Sequence, residues 1–151
     1  MAAVRPLATR KSDTLRMLAT PAIDVWVATA AAAGVPYLVP LSLAWVDERV
    51  VIALEATSPT ARNLAATREA RLAVGPTRDV VMMDVVLDRT VSVDGDEALG
   101  TAYVAQADWD PRGLSGYVFL VLRPVRIQAW RESNEIPGRN LMRDGVWLIQ
   151  A

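Results

Sequence analysis

The stretch EATSPTARNLAATREA, Glu55 to Ala70, concentrates the chemistry available to this chain. Ser58 fits the N-cap of a helix and Pro59 its first position, where a missing N–H costs nothing. The first amides of a helix are unsatisfied and sit at the positive end of the helix dipole, so a phosphate is stabilised there before any side chain contributes. Thr57 and Ser58 add hydroxyl donors. Arg62, one turn in, can fold back and grip phosphate oxygens as a fork, and Asn63 supplies an amide donor. The same residues also make an ordinary capped helix with Arg62, Arg68 and Glu69 on a solvated face, and the local sequence leaves both readings open.

What the chain lacks narrows the chemistry further. It has neither cysteine nor histidine, which removes disulfides, zinc-thiolate sites, cysteine nucleophiles and the Ser-His-Asp and Cys-His arrangements. Carboxylates, Tyr, Arg, backbone groups or a bound cofactor must then do the work. The 16 Lys and Arg balance 17 Asp and Glu, so there is no basic surplus of the kind that nucleic-acid binding leaves. Lys11 is the single lysine, and any anion site uses the planar fork of Arg. Asp108-Trp109-Asp110 has no third ligand nearby and reads as a loop anchored by its tryptophan, and the acidic turn at Asp94, Asp96 and Glu97 lacks calcium-loop spacing. The N-terminus has no apolar signal core, and the longest apolar stretch is broken by Gly34, Pro36 and Pro40. These features predict a cytoplasmic protein with no membrane and no nucleic-acid partner.

The elements that must position these residues follow from periodicity. A single domain is expected over residues 1–151, with 1–11 as a flexible tail and Ser12 or Asp13 capping a short helix whose apolar face is Leu15, Leu18 and Ala19. From Asp24 the pattern becomes β: DVWVATA, then PYLVPLSLAWV, a tight turn at Asp47-Glu48-Arg49, and VVIALEA, an antiparallel meander. The helix begun at Pro59 runs to about Thr67, and ARLAV returns to strand. VVMMDVVLDRTVSV makes one bent strand or a strand pair, and its doubly apolar first half suggests a covered surface or subunit interface. DEALGTAYVAQA reads weakly as helix, YVFLVLRPVRIQAW as a strong strand, and MRDGVWLIQ as a turn with a last strand. Six or seven strands with a few short helices predict a mainly β fold, a small antiparallel barrel, with a sandwich as the alternative. Trp26, Trp45, Trp130 and Trp147 fall on strands, where packing is the ordinary role.

The order VWVATAAAAGVPYLVPLSLAWVDERVVIALEATSPTARNLAATREARLAV, with the later RPVRIQAW and GRNLMRDGVW, resembles the pyridoxamine 5'-phosphate oxidase-like split-barrel family. That resemblance spans roughly Asp24 to Trp147 and implies an FMN-binding split β-barrel acting as an oxidoreductase, with cofactor sites at a homodimer interface. It implies that Val39, Pro40, Leu41 and Ser42 lie beside the flavin ring and ribityl chain. Leu54, Glu55, Ala56 and Thr57 would face the same ligand, and Ser58, Arg62 and Asn63 would hold its phosphate. Trp130 and Arg143 match residues that the partner subunit sends to the flavin, and Arg139 matches a substrate arginine. A subgroup of the family uses the deazaflavin coenzyme F-420 instead of FMN, and TARNLAATREARLAV resembles it at least as closely. The chain departs from the oxidase pattern in three places, one being the lack of an equivalent of the Tyr, Arg and Ser cluster that grips the vitamin phosphate. Pro59-Thr60 replaces a basic pair, leaving Arg62 to carry the phosphate charge largely alone, and Leu141 replaces the histidine between Arg139 and Arg143. A true pyridoxamine-phosphate oxidase is therefore not expected, and no side chain stands out as a catalytic acid. A non-enzymatic protein storing or sensing flavin or another planar ligand is the alternative from a different class.

Overall fold

The apolar runs pair into one antiparallel sheet in a computed structural model, which describes residues 1–150. Its strands are β1 (Asp24–Ala30), β2 (Pro36–Ser42), β3 (Ala44–Val46), β4 (Arg49–Glu55), β5 (Glu69–Val74), β6 (Val80–Ser92), β7 (Tyr117–Trp130), β8 (Asn140–Arg143) and β9 (Val146–Trp147). They are joined in the order β2-β1-β5-β6-β7-β4-β3, with β8 on β7 and β9 on β8. The two ends of that order, β2 and β3, are one run of chain. At Leu43, which is fully buried, the run leaves β1 and takes up β4 as its partner, and the Leu43 amide donates to the Ile23 carbonyl at 3.2 Å. This exchange rolls the sheet into a barrel. Because β2 pairs only with β1, its second edge is unpaired, and the barrel is split between β2 and β4.

Side-chain alternation fills the barrel with Val27, Ile52, Leu72, Met83, Leu122 and Ile127. Helix α2 (Pro59–Thr67) adds Ala61 and Leu64 to that core. Helix α3 (Glu97–Ala107) lies on the outside, where Leu99 and Tyr103 cover Val51, Ala53 and Phe119. Strand β4 is thus buried on both faces, which accounts for the unbroken VVIAL run. Burial pushes the Tyr103 hydroxyl up to about 12, and it accepts a hydrogen bond from Trp109 Nε1 at 2.9 Å. Trp109 therefore anchors its loop as expected. Two hairpins turn on paired positive-φ residues, Asp47-Glu48 and Asp144-Gly145, the backbone of two-residue type I′ turns.

Two expectations are corrected, the strand count and the N-terminal tail, and of the two forms left open for VVMMDVVLDRTVSV the single bent strand is the one that forms. Nine strands form rather than six or seven, because β3, β8 and β9 are too short to show a period of their own. VVMMDVVLDRTVSV is one strand, with register shifts at Asp84/Val85 and Leu87/Arg89. Residues 1–11 are not a flexible tail: helix α1 (Leu7–Leu18) begins well before Ser12, with Pro6 at its N-cap and no side-chain cap. Arg10 and Lys11 are buried. Arg10 Nε stands 3.0 Å from a Glu135 carboxylate oxygen, and its guanidinium also donates to the Glu135 carbonyl at 3.1 Å. Arg5 bridges Glu135 at 3.2 Å and Asp13 at 2.9 Å. Lys11 Nζ lies 4.5 Å over the Trp147 ring and donates to the Ile149 carbonyl. Ion pairs with the far end of the chain therefore hold this segment. Among the described residues no helix is long and apolar enough to cross a membrane.

Glu135→Ala leaves the buried Arg10 charge unpaired, and urea unfolding is expected to record a loss of about 3–5 kcal/mol. A loss under about 1 kcal/mol would show the clamp to be peripheral. Acid should act on the surface pairs. Burial opposes ionisation of Asp13 and of Asp88, yet Arg5 and Arg16 on the first and Arg49 and Arg123 on the second outweigh it, and both carboxyls sit below their ordinary value. The unfolded chain then binds protons that the folded chain refuses. Their contribution is whole above the ordinary carboxylate pKa of about 4 and fades as pH falls through the lower folded values. Urea midpoints at pH 7 and 5 are expected to be close, with a clear fall at pH 3.

Candidate functional site

The local chain at Glu55 to Asn63 folds as its residues dictate. The Ala56 amide donates to the Gly116 carbonyl at 2.9 Å and the Ser58 amide to the Glu55 carbonyl at 3.0 Å, fixing the turn out of β4. Ser58 is extended (φ −65°, ψ 153°), and its Oγ accepts from the Ala61 amide at 3.2 Å. Helix α2 ends at Arg68, in the left-handed region at φ 63°. Of the first-turn donors, Pro59 has none and Ala61 is used by the cap, which leaves the amide of the buried Thr60 as the remaining one. Asn63 gives one N–H to Thr29 Oγ1 at 3.0 Å, tying α2 to β1. The Arg62 side chain is exposed and makes no hydrogen bond or ion pair among the described residues.

That freedom is unusual in this chain. Among the described residues only Arg62, Arg68, Arg139 and Arg143 of the arginines lack a carboxylate partner within 4.0 Å. Arg68 is spent on the Leu87 carbonyl at 2.6 Å. The other three are the arginines expected to meet ligand.

Helix α2 packs on β1 and β2, so the cradle stands at the split. Val39 and Leu41 of β2 lie opposite the buried Val27 and Val25, whereas Pro40 lies opposite the exposed Trp26. Val39, Pro40, Leu41 and Ser42 therefore divide between two faces, and a single ligand can meet all four only along their unpaired backbone edge. Leu54 points into the barrel, while Glu55, Ala56 and Thr57 are exposed at its rim.

Trp130, Arg139 and Arg143 form a second group. Arg139 stacks over the Trp130 ring with its guanidinium carbon 5.3 Å from the centroid, and its Nε is buried without a partner. Arg143 is exposed on β8. Leu141, where the resemblance set a histidine, is fully buried in the barrel core and presents nothing to a ligand. The two groups are not brought together within one chain. Glu55 is opposite Tyr117, the first residue of the 14-residue β7, and Trp130 is its last, which is about 40 Å of extended strand.

Between them lies an outer sheet face that no helix covers, and sequence reasoning did not assemble it. One cross-strand row runs Pro40, Trp26, Ala73, Met82, Gln128, Asn140, and the next runs Leu38, Ala28, Arg71, Asp84, Arg126. Its β2-β1-β5 side is apolar, with Trp26 50% and Leu38 59% exposed around a pocket of about 290 Å³. Its β6-β7-β8 side is polar: Arg126 grips Asp84 at 2.6 Å, and Arg71 donates to Gln128, which donates to Asn140. The alternation of DVWVATA was the available signal, since it sets Trp26 on the face opposite Val25 and Val27.

No protein-family model and no curated protein sequence matches the chain. Solved structures do. An F-420 reductase is similar at 18% identity and TM-score 0.62, over 74% of this chain and 93% of its own. A pyridoxamine 5'-phosphate oxidase-related, FMN-binding protein from Nostoc punctiforme is similar at 16% identity and TM-score 0.56, over 84% of each chain. A heme-binding protein from Mycobacterium smegmatis is similar at 22% identity and TM-score 0.68, over 95% of this chain and 60% of its own. At these identities the likeness is one of fold.

Because Ser58 caps α2, Ser58→Ala is expected to cost about 1 kcal/mol in urea unfolding. An unchanged midpoint would mean that the hydroxyl does not hold the first turn.

Proposed function

We propose that this chain, which has the split-barrel fold of the pyridoxamine 5'-phosphate oxidase-like proteins, is an FMN- or deazaflavin-dependent oxidoreductase working as a homodimer. The observation that carries the reading is the pairing of an unpaired β2 edge with a helix start whose arginine, Arg62, has no protein partner. That donor set suits a planar ring with a phosphate tail: backbone groups along Val39 to Ser42 for the ring, and the Thr60 amide, Thr57, Ser58 and Arg62 for the phosphate.

Separation and exposed surface together support the dimer. One chain cannot set Trp130 and Arg143 against its own cradle, whereas a second copy seated on the apolar face of Trp26 and Leu38 can bring the partner subunit's Trp130 to it. Burying that face also removes the exposed Trp26 and Leu38 side chains from water. Arg139, with its stranded Nε, is suited to an anionic group of the substrate. When bound, either coenzyme carries the hydride, so a chain without histidine or cysteine needs only to hold and orient the ring and shield it from water.

A storage or sensing role for the same ligand is the alternative. Its haem version has no histidine in this chain to serve as iron ligand. The test is titration of the purified protein with FMN and with coenzyme F-420, following fluorescence quenching, alongside light scattering for mass. The expected result is a dimer that quenches at least one of the two, with binding weakened tenfold or more in Arg62→Ala. A monomer, or a dimer that quenches neither, would overturn the reading. A bound coenzyme that no conjugated small molecule reoxidises would move the assignment to storage.

A further inference from the structure

We propose that Arg10 and Glu135 are positioning residues of the coenzyme site: their buried pair sets the segment 131–139, and with it the Trp130–Arg139 stack that one subunit offers to its partner. This rests on the coenzyme reading above and names what aims its second group of residues. Among the described residues of that segment Glu135 alone is buried, at 2% exposure. A polar loop is thus anchored by a carboxylate where an apolar side chain is the ordinary choice. A buried ion pair is a poor route to stability, since an apolar pair of like volume often holds a fold as well or better. What the pair adds is direction. Apolar burial is non-directional, whereas the planar fork of Arg fixes where its partners stand.

The Arg10 guanidinium bears on the segment at two points. Its Nε stands 3.0 Å from the Glu135 carboxylate and donates to the Arg5 carbonyl at 3.2 Å. Its Nη1 donates to the Glu135 carbonyl at 3.1 Å and to the Ala129 carbonyl at 3.4 Å. Ala129 is where the ladder between β7 and β8 runs out. Its amide donates to the Arg139 carbonyl at 3.1 Å, one residue before β8 begins, and Arg10 meets the carbonyl that the ladder leaves over. Ala129 therefore touches Arg10 through its carbonyl and Arg139 through its amide, and Trp130 is the next residue. Arg139 closes the loop with its own amide on the Ile136 carbonyl at 3.3 Å and lays its guanidinium over the Trp130 ring. Other ties of the segment, such as Arg78–Glu132 and Arg131–Asp79, join exposed or partly exposed side chains and hold it weakly.

The test separates aim from stability. Arg10→Lys keeps the charge and loses the fork, and Arg10→Met combined with Glu135→Leu removes both charges and fills their space with apolar groups. Gln106→Ala is the control for a loosened α1, because the Gln106 amide ties that helix to α3 through the Leu18 carbonyl at 2.7 Å. Fluorine NMR is recorded on protein labelled with fluorotryptophan, the Trp130 resonance being identified by its loss in Trp130→Phe. It is expected to move in both Arg10 variants and to stay in place in Gln106→Ala, with the Trp26 resonance unmoved throughout. FMN and coenzyme F-420 are then titrated by fluorescence quenching. Whichever binds wild type should bind both Arg10 variants at least tenfold more weakly, and Gln106→Ala as wild type does. Once Trp130→Ala and Arg139→Ala are in place, changing Arg10 should cost less than twofold. If the apolar pair does not fold, Arg10→Lys carries both measurements. A Trp130 resonance that stays in place would overturn the proposal, and so would a moved resonance with affinity unchanged, each leaving the coenzyme reading standing. An equal loss of affinity in the Trp130→Ala, Arg139→Ala background would also overturn it, since Arg10 would then act elsewhere. Wild type that binds neither coenzyme would overturn the coenzyme reading itself.

Discussion

The backbone between Pro36 and Val46 must satisfy two partners in eleven residues, and the molecule is arranged around that requirement. Its first part completes a ladder with β1 and its last part a ladder with β4, with buried Leu43 at the exchange. A buried N–H or C=O left unpaired is costly, so the strand cannot drift from one ladder to the other without a defined switch point. The exchange closes the barrel and also leaves the second edge of β2 without a partner. An edge of free donors and acceptors is ordinarily a liability. Here it lies beside the rim of β4 and the start of α2, where backbone groups can be spent on a ligand.

Charge is distributed with a similar logic. Most arginines are held by carboxylates, some of them in pairs about one acid, as Arg49 and Arg123 are about Asp88 and Arg71 and Arg126 about Asp84. Such surface pairs contribute little each to stability, but they neutralise most of the guanidinium groups and so make the free ones informative. Arg62, Arg139 and Arg143 stand out only against that background. The buried Arg10–Glu135 pair belongs to a different category. Its desolvation cost is large, and its hydrogen bonds to the Glu135 and Ala129 carbonyls fix the N-terminal helix against the chain that carries Trp130. The element expected to be loose is thereby a strut behind one of the two residue groups of the site.

The parts of the fold legible from sequence were those in which neighbours along the chain decide the conformation. Helix α2 begins at Pro59 and ends at Thr67 as Ser58-Pro59 and the following pattern require, and α3 forms despite Gly100 because Leu99, Tyr103 and Ala107 find the outer face of β4 and β7. VVIALEA was legible as a strand of the meander, while its burial on both faces came from α3 packing on the outside of β4. Misreadings fell where a distant partner decides. Nothing near Arg10 predicts Glu135, and nothing in PYLVPLSLAWV marks Leu43 as the point of exchange, since residues of strand type stand on both sides of it.

The residue types at Thr57, Ser58, Arg62 and Asn63, the absence of histidine and cysteine, and the single positive charge of the cradle belong to the sequence alone, because identity and local capping need no tertiary partner. Tertiary structure decided which of the arginines are free, because ion pairs form between strands remote in the chain. It also decided that Trp26, Leu38, Ala73 and Met82 share one uncovered face and that Trp130 stands at the far end of β7 from the cradle. Those facts depend on strand register, and register is set by long-range backbone pairing that no local window of residues contains.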